Sequence, residues 1–252
     1  MKITMLGSGT SVGVPVIACE CSVCTSESPR NKRLRCGLHV DFGDLSILVD
    51  TPTDLRQQAL RYSIPRVDAV LFTHAHADHV YGLDELRIYN YRQRQAIPCY
   101  GSPNTLQALR KLFSYVFEKG ETGGGKPKLT LREVDGPFSL GDHEIIPVPV
   151  MHGALQVLGY RFGTFAYVTD CNAVSKSSLG LLRGVEVLVL GALRYSPHPT
   201  HFTIGEAIDL SEALGVPRTI LTHLGHEVDH DNPEIPLPSG VEFGFDGLQI
   251  EV

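Results

Sequence analysis

Thr73-His74-Ala75-His76-Ala77-Asp78-His79 is the stretch on which the reading of this 252-residue chain turns. Four side chains able to bind a metal fall between His74 and His79. Three offer neutral imidazole nitrogens and Asp78 offers a hard oxygen, a mixture that suits Zn²⁺ or Mn²⁺. The apolar run Asp68-Ala69-Val70-Leu71-Phe72 leads directly into them and reads as a short strand. A strand fixes the base of such a loop, so the loop can turn its ligands inward. One histidine in such a place is usually an ordinary polar residue. Four ligands at this spacing are enough to feed two adjacent metals.

Working outward, short strand-like runs dominate both halves. Lys2–Leu6, Leu38–Phe42 and Ser46–Val49 read as strands, with Gly43-Asp44 as the turn of a hairpin. Helical patterns follow at Asp54–Tyr62, Val80–Tyr91 and Pro103–Phe117. The second half repeats the style. Strands are expected near Glu144–Val150, Leu158–Phe162, Thr164–Thr169, Val185–Leu190 and Thr219–Thr222, and helices near Ser175–Leu182 and Thr203–Leu214. The Gly-rich stretch Gly120–Lys128 reads as a loop rather than a linker, so residues 1–252 are taken as a single domain. This order fits an α/β fold in which two sheets carry helices on their outer faces, an αβ/βα sandwich of four layers.

The formal net charge of -6 does not advertise nucleic-acid binding. No apolar run is long enough for a membrane helix, and Met1–Leu6 lacks the features of a signal peptide. A cytoplasmic protein with no membrane partner is expected, and a homodimer is compatible with it. Six cysteines are present, three of them in Cys19-Glu20-Cys21-Ser22-Val23-Cys24. Without an export signal, such clustering favours metal over disulfides. Three soft thiolates at this spacing select zinc, and a structural site wants a fourth ligand. By sequence alone His226, His230, Cys36 and Cys99 all qualify.

The His-x-His-x-Asp-His motif resembles the hallmark of the metallo-β-lactamase superfamily. The resemblance implies a two-metal site with His74 and His76 on one metal and Asp78 and His79 on the other. It also implies three further ligands at strand ends. His152 ends Pro149-Val150-Met151-His152, Asp170 ends Ala166-Tyr167-Val168-Thr169-Asp170, and His223 ends Ile220-Leu221-Thr222-His223. Asp170 would bridge the metals, and Asp50 matches a structural aspartate near the site. The cysteine cluster narrows the likeness to the cyclic-phosphate phosphodiesterases of the bacterial carbon–phosphorus lyase pathway. Gly7–Pro15, Leu221–His226 and the tail Leu237–Gly247 carry it. That family holds a structural Zn²⁺ on three such cysteines and a histidine that maps to His226. Residues Lys119–Lys128 and Arg194–His201 depart from its pattern, which leaves substrate choice open.

What the resemblance implies about chemistry follows. Two Mn²⁺ or Zn²⁺ would activate a hydroxide, and a small anionic phosphodiester would be the substrate: phosphoribosyl 1,2-cyclic phosphate or a 2′,3′-cyclic nucleotide. Asp78 and His201 are the residues expected in catalysis, His201 as general acid with His198 as its competitor. Arg30-Asn31-Lys32-Arg33-Leu34-Arg35 could bind a second phosphate or be a solvated loop. A tRNA 3′-end endonuclease would need a basic, Gly-rich arm, for which Gly123-Gly124-Gly125 is a poor candidate. A β-lactamase proper would have cysteine in place of Asp170. A non-enzymatic metal-binding protein should have lost a ligand, and none is missing.

Overall fold

Alternation along the strands decides which side chains meet in the middle. In the computed structural model, which describes residues 1–118 and 125–252, two seven-stranded sheets face each other. The first contains β1 (Lys2–Gly7), β2 (Gly37–Asp41), β3 (Ser46–Val49), β4 (Ala69–Leu71), β5 (Ile97–Gly101) and β6 (Leu129–Glu133). The second contains β7 (Phe138–Leu140), β8 (His143–His152), β9 (Leu155–Phe162), β10 (Phe165–Val168), β11 (Val187–Gly191), β12 (Arg218–Thr222) and β13 (Val241–Phe243). β14 (Gln249–Glu251) returns to pair with β1. Ile47, Val49, Ala69 and Leu71 face inward and meet Phe165, Tyr167, Val187 and Val189 from the other sheet. Their alternates, Leu48 and Val70 on one sheet and Leu188 and Leu190 on the other, face the helices. A strand covered on both faces is apolar at every position, which is why these runs lack polar alternation.

The helices are α1 (Ser22–Thr25), α2 (Leu55–Arg61), α3 (Ala77–Val80), α4 (Leu86–Gln93), α5 (Pro103–Leu112), α6 (Ser114–Phe117), α7 (Lys176–Leu182) and α8 (Ile204–Leu214). Apolar residues of α2, α4 and α5 cover the first sheet, and those of α7 and α8 cover the second. The result is the expected four-layer sandwich. α8 has clear local causes at both ends. Thr203 and Glu206 form a reciprocal capping box, and Gly215 closes the helix with φ +66°.

Two expected helices are broken. Val80–Tyr91 is interrupted after α3 by a 3₁₀ turn, Leu83–Glu85, before α4 begins. Gly82 is the reason. A Cβ there would lie 2.1 Å from the carbonyl oxygen of Pro52, and the Gly82 N–H donates to Thr51 instead of to a helical carbonyl. Pro103–Phe117 is split at Phe113 into α5 and α6. Strands β5, β6, β7, β13 and β14 were not anticipated. The expected loop Gly120–Lys128 lies partly outside the described residues.

The architecture gathers the polar strand ends. β3 and β4 run parallel, as do β10, β11 and β12. Asp50, Thr73-His74, Asp170 and His223 follow the carboxyl ends of β3, β4, β10 and β12, and His152 ends β8. Ligands of open α/β sheets collect at such ends. Two hydrogen bonds tie the sheets together there: Leu158 N–H to the Thr73 carbonyl at 3.0 Å, and the Tyr160 hydroxyl to the Phe72 carbonyl at 2.8 Å.

Candidate metal centre

Asp50 organises the first cluster from below. It is fully buried, and its carboxylate accepts from the Thr73 N–H at 2.8 Å, the Thr73 hydroxyl at 2.8 Å and His79 Nδ1 at 2.7 Å. Since the Thr73 hydroxyl donates to Asp50, its oxygen is free to accept from His74 Nδ1 at 3.0 Å. Both histidines therefore carry their proton on Nδ1 and turn the Nε2 lone pair into the site. A partner of this kind fixes tautomer and ring orientation in metal sites. His152 is set the same way, with Nδ1–H donating to the Thr200 carbonyl at 2.8 Å.

Seven side chains converge. Donor atoms of His74, His76 and His152 form one group, and those of Asp78, His79, Asp170 and His223 form a second. Within each group the ligand atoms lie within 4.8 Å of one another. Asp170 links the groups: its oxygens lie 3.3 Å from His79 Nε2, 3.3 Å from His223 Nε2 and 4.0 Å from His74 Nε2. Asp78 Oδ2 lies 3.2 Å from His79 Nε2 and 3.6 Å from His223 Nε2.

The chemistry of this set fits metal ions. Among the described residues, His74 Nε2, His79 Nε2 and both ring nitrogens of His223 are buried with no well-directed hydrogen bond. The short His79 contacts to carboxylates bring lone pairs toward lone pairs, an arrangement that calls for a cation between them. Burial pushes the His74 pKa well down and, with His152 nearby, that of His76 down as well, so both rings are neutral donors. Burial opposes charge on Asp170, yet His223, His79 and His74 outweigh it and hold the carboxyl well below its usual range. Burial likewise opposes a proton on His79, but Asp170 and Asp50 prevail and raise its pKa. The carboxylates around His79 thus demand positive charge, which a proton or a dication can supply.

Backbone strain marks the same place. Asp50, Asp170 and His223 have φ of +65°, +50° and +60°. A left-handed conformation costs a non-glycine residue on the order of 1–2 kcal/mol, and it persists where the surroundings require it.

The second cluster stands apart. Cys19, Cys21 and Cys24 Sγ lie 3.3, 3.5 and 3.6 Å from His226 Nδ1. Bonds of about 2.3 Å to sulfur and about 2.0–2.1 Å to nitrogen in a tetrahedron put ligand atoms about 3.6 Å apart. The four residues therefore already sit at nearly zinc-ligand spacing. The Cys24 N–H at the start of α1 lowers the Cys21 thiol to about 6, while burial raises Cys24 to about 11. The other three candidates for the fourth ligand are engaged elsewhere. Cys36 contacts the Thr222 hydroxyl, Cys99 lies in the core of β5, and His230 contacts Arg30.

Residues 46–224 match the family model described as the beta-lactamase superfamily domain. This chain belongs to the metallo-β-lactamase superfamily. Within it, the crystal structure of a new diphosphatase from the PhnP family is 38% identical, with a TM-score of 0.93 over 100% of this chain and 97% of that one. The chain is therefore a member of the PhnP family. An octanoyltransferase of Porphyromonas gingivalis is 41% identical over 256 residues, or 99% of this chain, but the chain spans only about half, 51%, of that protein's length. Zn²⁺-bound PqqB from Methylobacterium extorquens shares the fold at 18% identity, with a TM-score of 0.75 and 100% coverage of both chains.

Two features of this superfamily member escape sequence reasoning. The basic run does not act as one surface patch. Arg33 is buried and donates to the carbonyls of Gly225 and Val228 at 3.0 and 2.8 Å, bracing the loop that carries His226. Arg35 is paired with Asp54, and Arg30 lies over the Phe245 ring. The Thr73 hydroxyl relay is the other; a threonine before the motif carries no distinctive signal. No helix among the described residues is long and apolar enough to cross a membrane.

Proposed function

We propose that this chain is a metal-dependent phosphodiesterase that hydrolyses a small cyclic phosphate, phosphoribosyl 1,2-cyclic phosphate or a 2′,3′-cyclic nucleotide. The observation that carries the reading is the place of His201 beside a full ligand set. Its ring stacks on His223 with centroids 4.8 Å apart and an interplanar angle of 17°, and lies 4.6 Å from the His152 ring. His198 is one step further out, 5.0 Å from His201, with Nδ1 turned to the Thr200 hydroxyl.

Two Mn²⁺ or Zn²⁺, held by His74, His76 and His152 and by Asp78, His79 and His223 with Asp170 shared, would supply Lewis acidity and a water of lowered pKa. Cys19, Cys21, Cys24 and His226 would hold a structural Zn²⁺, whose binding free energy adds to folding. The protein's own task is then orientation and proton transfer. Asp50 and Thr73 keep the donor nitrogens of His74 and His79 aimed inward. His201 delivers a proton to the departing alkoxide. Burial, and then His223, hold the His201 pKa near 3, so its imidazole is neutral before substrate arrives. A phosphate anion in front of the ring works in the opposite sense and loads the proton where it is needed.

A diphosphate ester is the second reading, favoured by the similarity to the PhnP-family diphosphatase. Acyl transfer has less support. The cysteines beside the site, Cys36 and Cys171, are buried, and burial raises the Cys36 thiol to about 12 and pushes the Cys171 thiol up as well. Neither is a ready nucleophile at neutral pH.

Turnover of a panel tests the reading: 2′,3′-cyclic nucleotides, phosphoribosyl cyclic phosphate, a nucleoside diphosphate ester and an acyl thioester. A cyclic phosphodiester should lead by about 10-fold or more in kcat/KM, the measure of specificity. A lead for the diphosphate ester would favour the second reading. Turnover of the thioester alone would contradict both.

A further inference from the structure

We infer that Asn172 is a positioning residue that fixes the His201 loop against the end of β8, an inference that rests on His201 being the proton donor. The chain leaving Asp170 does not depart from the site. The Asn172 N–H donates to the Met151 carbonyl at 2.8 Å, and the Met151 N–H donates to the Ala173 carbonyl at 2.9 Å. This short antiparallel bridge lays residue 172 beside the ligand-bearing end of β8. One residue earlier, the Cys171 carbonyl accepts from the Phe202 N–H at 2.7 Å, which anchors the far side of His201.

The Asn172 side chain closes the remaining gap. Its Oδ1 accepts from the Gly153 N–H at 2.9 Å, the residue after His152. Its Nδ2 donates to the Pro199 carbonyl at 2.9 Å, two residues before His201. His152 Nδ1 takes the next carbonyl, Thr200. Both carbonyls ahead of His201 are thus held by groups that also set His152. The packing is close: Gly153 has φ +61°, and a Cβ there would sit 2.9 Å from Thr200 Cγ2.

The residue type follows from the partners. One side presents an N–H and the other a carbonyl, so the bridge must accept at one end and donate at the other. A primary amide does both. Aspartate would keep the Gly153 bond but turn a second acceptor toward the Pro199 carbonyl, and alanine would lose both bonds. The Asn172 side chain bonds to backbone groups of Gly153 and Pro199 and to no side chain of the metal-ligand set. Its effect passes through the pose of His201, where a displacement of about 1 Å can cost about 10²-fold in rate.

A double-mutant cycle tests this on the metal-loaded protein, with Asn172→Ala, Asn172→Asp, His201→Ala and the two doubles. Asn172→Ala should lower kcat for a poor alkoxide leaving group by about 10–100-fold, with little change in KM. The loss for a p-nitrophenyl ester should be within a few-fold, because that leaving group needs little protonation. Asn172→Asp should show the same leaving-group selectivity, which keeps the test open if the alanine variant folds poorly. Metal content should stay at the wild-type level. In the metal-free protein, amide exchange over residues 200–202 should quicken in both variants. In the His201→Ala background, neither substitution should lower the rate further, since both act on one step.

Losses that multiply in the doubles, or that are equal for all leaving groups, would overturn the inference. If His201→Ala slows the reaction and the Asn172 variants do not, this inference fails alone. If His201→Ala has no effect, the proton-donor reading fails and this inference with it.

Discussion

Asp170→Ala should abolish turnover, with a loss of about 10³-fold or more, and should empty at least one metal position. Among the described residues, Asp170 is the one carboxylate that faces side chains of both groups, His74 on one side and His79 and His223 on the other. Removing even an outer partner of a metal ligand typically costs about 10–100-fold in affinity or activity, so a shared ligand should cost more. The variant also removes a buried negative charge that the surrounding histidines neutralise. Its metal-free form should therefore differ from wild type in melting temperature as well as in metal content. Elemental analysis decides the point. Full occupancy of both positions in the variant would assign the bridging role to another residue.

His201→Ala should lower kcat by about 10²–10⁴-fold, the usual scale of lost acid catalysis. The structure makes metal content the critical control, because His201 lies within ligand reach of His152 and Asp170. A proton donor can be removed with the metals left in place; a ligand cannot. The loss should shrink for leaving groups of low pKa. A uniform loss would make His201 a phosphate-binding residue instead, and a near wild-type rate on a poor leaving group would move the assignment to His198.

The dense motif His74–His79 was legible because residue type and spacing alone imply metal chemistry. The candidate ligands His152, Asp170 and His223 were legible only through resemblance. Each is a single polar residue at the end of an apolar run, and nothing local separates it from an ordinary strand end. The left-handed backbone at Asp50, Asp170 and His223 left no mark in the sequence, because tertiary contacts impose it on residues that do not prefer it. The break at Gly82 was hidden for a similar reason: its cause is Pro52, distant in sequence. Strand β5 was missed because Ile97-Pro98-Cys99-Tyr100-Gly101 contains the two residue types that most weaken a strand reading. The burial of Arg33 carries no sequence signal, because a charged residue in a basic run is normally solvated, whereas here three oxygen acceptors, from Gly225, Val228 and Asn31, replace the water.

The most direct test of a two-metal centre with a separate structural zinc is metal analysis of the purified protein, paired with turnover before and after chelation. The donor sets predict about three metals per chain, two in an open catalytic site and one in a closed tetrahedral site. Chelation should abolish turnover, with the two catalytic metals leaving first, and added Mn²⁺ or Zn²⁺ should restore it. One metal or none in a natively folded protein, or undiminished turnover after complete chelation, would contradict the account.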